Sequence, residues 1–288
     1  MTLVTKILSA NKIEDILDIA DADKEYKRIM MLIHPDKCDH EDASKASVRL
    51  NELRDHFING KEYKDDTGSY RTNGYWVEWT SDKPRMKWSF ENYSRFLQLS
   101  DPASLHFRKY LPEGSSLAGN QKYTFSFGLR SIPLSGQTLP QEHVNWVLNR
   151  LLEYCAYLDQ TGFSHAGLNP ESVFIVPENH GIKICSFYHL TRMGSKVKTI
   201  SAKYSDWYPR ELFSGKIATS AIDIELSKRI AAYLLGDRSG VGVKLRKTHN
   251  EAFVGFLLKH HDSPYEALIE YRALLAAHFE KKFHILSL

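Results

Sequence analysis

Residues 165–176 read His165-Ala166-Gly167-Leu168-Asn169-Pro170-Glu171-Ser172-Val173-Phe174-Ile175-Val176, and Ser186-Phe187-Tyr188 follows ten residues later. Two short apolar runs, Val173–Val176 and Ile182–Cys185, flank the turn Pro177–Gly181, so the spacing predicts a hairpin. Upstream, Val144, Val147, Leu148, Leu151, Leu152 and Cys155 recur at helical spacing, and Thr161-Gly162 ends that helix. Downstream, Pro264–Phe279 is a second amphipathic stretch that predicts a closing helix.

The quoted stretch resembles the catalytic loop of protein kinases, whose H-R-D-L-K-P-E-N-V pattern aligns with His165 to Val173 without a gap. The D-F-G motif aligns with Ser186-Phe187-Tyr188. The A-P-E motif aligns with Pro209-Arg210-Glu211, or with a shift at Tyr208-Pro209. Asp223 stands where the family has the buried aspartate that holds the catalytic loop. The resemblance implies a bilobal kinase-like fold, with a small β-rich upper lobe over 61–138 and a mainly helical lower lobe over 139–288.

The positions that match are those with structural roles in the family: His165, Leu168, Pro170, Phe187, Glu211 and Asp223. The groups that phosphoryl transfer needs are replaced. Gly167 stands at the base, Asn169 at the neighbouring lysine, Ser172 at the metal-binding asparagine and Ser186 at the metal-binding aspartate. No GxGxxG phosphate cradle occurs; Asp65-Asp66-Thr67-Gly68 and Asn73-Gly74 are the segments that could occupy its hairpin. Lys87 is the candidate phosphate lysine, against the alternative of a solvated strand lysine. Each lost group is commonly worth roughly 10²–10⁴-fold in rate. The expectation is a pseudokinase with no catalytic residue, no metal and no cofactor.

Residues 61–138 read as strands and turns. Asn73-Gly74 signals a hairpin, and Tyr75–Trp79 has strand composition. After Lys83-Pro84, Arg85–Phe90 is expected as a strand and Glu91–Leu99 as a helix. Leu105–Leu111 and Gln121–Leu129 are expected strands, joined by the loop Pro112–Asn120. The aromatics are expected in the core, because a nucleic-acid platform needs more clustered positive charge.

The first sixty residues carry three helical patterns. Ile13, Ile16, Leu17 and Ala20 give a short helix, with Asn11 as cap and Glu14 three residues on. The second runs from about Asp23 to Ile33, with Tyr26, Ile29, Met30 and Ile33 on one face and Lys24, Lys27 and Arg28 on the other. The third runs from about Asp42 to Phe57, with Ala43, Ala46, Leu50, Leu53 and Phe57 on its stripe and Asn59-Gly60 as a stop. Between them lies His34-Pro35-Asp36-Lys37. The proline ends the second helix at about His34 and pushes His34 and Asp36 into solvent.

Over roughly residues 10–60 this arrangement resembles the J domain of Hsp70 co-chaperones. The resemblance implies that Lys24, Lys27 and Arg28 steer onto an acidic surface of an Hsp70 (DnaK-like) ATPase domain. It also implies that His34, Pro35 and Asp36 promote ATP hydrolysis there. Cys38-Asp39-His40 looks like a ligand run, but adjacent side chains rarely converge on one ion.

The composition fits a folded chain: 288 residues, 42% hydrophobic, 25% charged, net charge +3. Residues 1–60 hold 9 Lys/Arg against 12 Asp/Glu, whereas the remainder is net positive, so a boundary is expected near 60. No apolar run approaches the roughly 20 residues of a membrane span, and Met1–Lys6 offers no secretion signal. Three cysteines without a CxxC pair suit reduced thiols in the cytoplasm.

The α+β reading is thus a three-helix J domain (1–60), a β-rich lobe (61–138) and a helical lobe (139–288), with a short linker at Gly60–Asp66. The expected function is a J-domain co-chaperone that stimulates an Hsp70 ATPase, its pseudokinase domain holding an unknown client, with no nucleic acid and no membrane as partner. One alternative is an active kinase or nucleotidyl transferase using displaced acids such as Glu171, Asp206 or Asp159. Another is a module that sequesters Hsp70. The basic residues Arg192, Lys196, Lys198 and Lys203 suit either an acidic partner or a solvated loop. His260-His261 is expected as ordinary helix surface or core.

Overall fold

Thr2 starts the first helix. In the computed structural model, which describes residues 2–18, 21–66, 68–118 and 122–288, the Thr2 hydroxyl accepts the Thr5 N–H at 3.2 Å. This caps α1 (Leu3–Ser9), which buries Val4 and Ile7. The helix expected over Ile13–Ala20 is not formed: a 3-10 turn covers Ile13–Asp15, and Ala20 lies outside the described residues. The Asp15 carboxylate accepts the N–H groups of Asn11 and Lys12. That local bond competes with a helical start at Asn11, while Ile13, Ile16 and Leu17 are still buried.

α2 (Ala22–Ile33) and α3 (Ala43–Asn59) lie close to their expected spans. Val4, Ile7, Ile13, Ile29, Ile33, Ala46, Leu50 and Leu53 form one core. Polar ties fix the three helices: Arg49 donates to the Ala10 carbonyl at 3.0 Å, Ser47 to the Ile33 carbonyl at 3.2 Å, and Tyr26 to Asn51 at 2.5 Å. These helices belong to one compact unit (residues 2–62 with 71–73 and 288), and residues 63–70 and 74–287 form a second.

Strands β1 (Lys61–Lys64), β2 (Ser69–Thr72), β3 (Trp76–Thr80), β4 (Gly114–Ala118) and β5 (Lys122–Ser126) form a sheet of order β1-β2-β3-β5-β4. The segment read as a linker, Gly60–Asp66, therefore contributes a strand. β5 pairs antiparallel with both β3 and β4, so β4 occupies part of the expected loop Pro112–Asn120. Residues 119–121, at the end of that loop and the start of the expected strand Gln121–Leu129, lie outside the described residues.

Two expected strands are helices. α4 (Lys83–Gln98) runs straight through Arg85–Phe90, because the Asp82 carboxylate accepts the Arg85 N–H at 2.9 Å and Pro84 occupies the first turn. Met86, Ser89, Tyr93 and Phe96 point inward at helical spacing. α5 (Pro102–Phe107) replaces the expected strand Leu105–Leu111 by the same device: Asp101 accepts the Ser104 N–H at 3.0 Å, Pro102 opens the helix, and a 3-10 turn follows at Arg108–Tyr110.

The remaining residues are mainly helical. α6 (Gln141–Thr161) ends at Gly162 in the left-handed region, φ +74. α7 (Arg210–Gly215), α8 (Ser220–Leu234), α9 (Glu251–Leu258) and α10 (Pro264–His278) follow, and α6 packs on α8 and α10. β8 (Val173–Val176) and β9 (Gly181–Ile184) form the expected hairpin, flanked by β6 (Ile132–Pro133) on β8. β7 (Phe163–Ser164) pairs with β10 (Thr191–Arg192). The second unit thus holds most of the five-stranded sheet, without residues 61–62 and 71–72, together with the helices from α4 onward. No helix among the described residues is long and apolar enough to cross a membrane.

A buried histidine pair joins α6 to the β8–β9 turn: His143 Nδ1 lies 2.7 Å from His180 Nε2, with Trp146, Phe283 and His284 around them. Burial pushes both imidazoles below their ordinary value, His180 to about 4, with Glu142 opposing the fall at His143. The unfolded chain takes these protons first, so the pair's contribution is whole above about pH 6.5 and is lost as pH falls toward about 4. Burial lifts Asp223 to about 7, so that carboxyl adds stability on acidification and opposes the histidines. Comparison with His180→Gln isolates the pair. Urea titrations at about pH 7.5 and about pH 5 should show a larger loss on acidification for wild type than for the variant. Equal losses would refute the assignment.

Candidate functional site

The loop 165–172 is built around one carboxylate. Asp223, buried in the first turn of α8, accepts the His165 N–H at Oδ2 and the Ala166 N–H at Oδ1, each at 2.8 Å. Ala166 takes a left-handed backbone, φ +54, which a non-glycine residue adopts only under such restraint. His165 is buried against Phe187, ring centroids 5.7 Å apart, and burial lowers its imidazole to about 3, so it is neutral. Phe187 also packs on Tyr93, Phe96 and Phe125. α4 reaches the same segment through polar bonds: Asn92 donates to the Phe187 carbonyl at 2.9 Å and Trp88 to the Tyr188 carbonyl at 3.1 Å.

The replaced positions turn inward and satisfy one another. Asn169 Oδ1 accepts the N–H groups of Glu171 and Ser172 at 2.9 and 2.8 Å, and its Nδ2 donates to the Gly167 carbonyl. The Ser172 hydroxyl accepts the Asn169 N–H at 2.9 Å. Both side chains are buried and committed to the loop itself. Ser186 is buried too. At Gly167 a Cβ would meet His189 Cδ2 at 2.5 Å and Cβ at 2.9 Å. The imidazole of His189 fills the space into which an acidic side chain at 167 would project.

The segment after His189 is tied down as well. Lys203 Nζ lies 2.6 Å from Glu171 Oε1, which also accepts from Ser135 at 2.9 Å. Tyr208 accepts the Ser201 N–H and donates to the Ala166 carbonyl, at 2.9 and 2.8 Å. Lys198 sits 4.8 Å above the Trp88 ring. Two of the four basic residues of this segment therefore serve internal contacts, while Arg192 and Lys196 are exposed. Glu211 is exposed in the first turn of α7, where no ion pair holds it among the described residues.

Displaced acids do not assemble. Glu171 is taken by Lys203, Asp159 accepts from Ser220, and Asp206 is exposed. Among the described residues no group of three His, Cys, Asp or Glu side chains is placed to hold a metal ion. Lys87 lies on the outer face of α4, 3.8 Å from Glu91, far from the role of a buried phosphate lysine on a strand. His261 is buried between Lys228 and Glu270, and His260 is exposed beside Asp262. Sequence reasoning missed His189, which no local pattern marks. Tyr208 entered only through the shifted alignment at Tyr208-Pro209.

In the first unit α2 ends at His34, whose backbone is extended (ψ 132) ahead of Pro35. His34, Pro35 and Asp36 are all exposed, and the Asp36 N–H donates to His34 Nδ1 at 3.3 Å. Lys24, Lys27 and Arg28 are exposed on α2, with Arg28 bidentate on Glu25 at 3.1 and 2.9 Å. Cys38 packs against the helical core, and His40 Nδ1 accepts the Asp42 N–H, so the Cys38-Asp39-His40 run is used locally.

No family model matches the chain. A solved structure described as vaccinia related kinase 3 is similar at a TM-score of 0.49 and 13% identity, over 76% of this chain and 92% of that one.

The packing at Gly167 makes a direct test. Gly167→Asp must displace His189 and bury a carboxylate without a partner, at a cost of about 2–4 kcal/mol. Urea unfolding should show that loss, with Gly167→Ala already losing about 1–3 kcal/mol. Wild-type stability in either variant would show that the site has room for a side chain after all.

Proposed function

We propose that this protein is a J-type co-chaperone that stimulates an Hsp70 ATPase, and that its larger unit is a catalytically inactive kinase-like scaffold for a partner. The observation that carries the first half is the His34-Pro35-Asp36 tip. It directly ends α2, it is exposed, and it follows the outward cations Lys24, Lys27 and Arg28 of the same helix by about two to three turns. A tip stiffened by proline keeps His34 and Asp36 presented without ordering cost on binding. The cations on the same helix supply attraction to an acidic surface.

The second half rests on the loop 165–172. Its framework bonds, from Asp223 to the His165 and Ala166 N–H groups, suit a kinase-like catalytic loop. Its chemistry does not: the base position is a glycine covered by His189, and Asn169 and Ser172 spend their polar atoms on the loop itself. Among the described residues no group of three His, Cys, Asp or Glu side chains is placed to hold the metal of a magnesium nucleotide. A kinase or nucleotidyl transferase reading would need acids that the fold keeps apart.

The tests are separable. The full chain should raise the steady-state ATPase rate of a DnaK-type Hsp70 several-fold, and His34→Gln should abolish the rise while leaving the unfolding midpoint unchanged. Reversing Lys24 and Lys27 to Glu should weaken stimulation most at low salt, the deficit shrinking as salt screens the attraction. A chain that never stimulates, under conditions where a control co-chaperone does, removes the reading. Incorporation of labelled phosphate into any substrate removes its second half.

A further inference from the structure

The β1–β2 turn makes a contact that the framework of the loop 165–172 does not require. Asp65 shapes that turn: its N–H donates to the Gly68 carbonyl at 2.9 Å, and its carboxylate accepts from the Gly68 N–H and the Trp79 indole. Asp66 is thereby turned away from β3 toward the helical lobe. Its Oδ1 accepts the Ala202 N–H at 2.9 Å, and its Oδ2 lies 3.8 Å from His189 Nε2. The His189 ring is the one that covers Gly167, and its Nδ1 meets the Thr199 hydroxyl at 3.0 Å.

We propose that Asp66 is a latch: it holds the β1–β2 hairpin closed over the loop 165–172 by gripping Ala202 and His189, and its release opens that cleft to solvent. Two sets of contacts meet there. From one side come the turn and Tyr70, whose hydroxyl donates to the Glu171 carbonyl at 3.1 Å. From the other comes the segment 199–203, pinned at Thr199 by His189, at Ser201 by Tyr208 and at Lys203 by Glu171. Asp66 is the acidic side chain that joins the two sets. Burial works against its ionisation, but the His189 imidazole and the Ala202 N–H outweigh it and keep the carboxyl below its ordinary value. The closed cleft is thus filled by the chain's own groups, which exclude a ligand by occupancy as well as by missing chemistry. The latch holds or fails independently of any action on Hsp70.

Cys185 reports on the cleft. Its thiol is free and buried, one residue before Ser186, and its N–H donates to the Ser172 carbonyl of the loop at 3.0 Å. Cys155, buried inside α6 against Ser227, reports on the lobe as a whole. Alkylation of the full chain with iodoacetamide, followed peptide by peptide by mass spectrometry, separates the two. Asp66→Ala should raise the Cys185 rate about tenfold or more, the scale of a lost charge-assisted hydrogen bond, with Cys155 unchanged. His189→Ala should act on the same rate, and the double variant should fall short of the product of the two, because Asp66→Ala already removes the His189 contact. An unchanged Cys185 rate in Asp66→Ala would overturn the latch. So would a parallel rise at Cys155, since the contact would then support the whole lobe, or effects of the two variants that multiply in full.

Discussion

Everything in the 165–189 region hangs on the Asp223 carboxylate. It is buried, and it is held by two backbone N–H groups from consecutive residues. Such a group is costly to bury and remains so unless its lone pairs are met. The chain meets them by bending at Ala166 into a left-handed backbone, and that bend aims Gly167 at His189 and turns Asn169 and Ser172 inward. The burial that lifts Asp223 toward neutrality and the bonds that favour its charge oppose one another. A carboxylate in that balance orders the loop through its two N–H bonds.

The polar side chains of the loop are spent within the fold, residue by residue. Asn169 caps the following turn as asparagine does in many loops, Ser172 closes the same turn, and His189 takes the volume that a side chain at 167 would need. An acidic side chain at 167 would therefore meet steric and electrostatic resistance from its surroundings, His189 first.

The helical elements were legible because their signals are redundant. The stripe from Val144 to Cys155 and the glycine after Thr161 point to the same helix, and the β8–β9 hairpin is announced by two apolar runs about a turn. Arg85–Phe90 and Leu105–Leu111 were not, since composition there competes with capping. Asp82-Lys83-Pro84 and Asp101-Pro102 are helix starts, and a capped start outweighs aromatic content. The first helix was hidden for a related reason: Thr2 caps a weakly patterned segment, while Asp15 diverts a well-patterned one into a 3-10 turn. At the site, the inward framework was readable from motif order. The contacts of His189 and Tyr208 were not, because they join residues 22 and 42 positions from their partners Gly167 and Ala166.

The two units put opposite demands on their polar groups. In the first, His34, Pro35 and Asp36 are left exposed at a helix end, where the His34 ring accepts the Asp36 N–H and lies 3.6 Å from the Asp36 carboxylate. In the second, the polar groups of the loop are almost all consumed internally. Exposed and pre-formed groups retain their full interaction energy for a partner, whereas buried and satisfied groups have little to give without first breaking what they hold. The tip at 34–36 therefore keeps its polar groups open to solvent, while those of the loop 165–172 are committed to the fold.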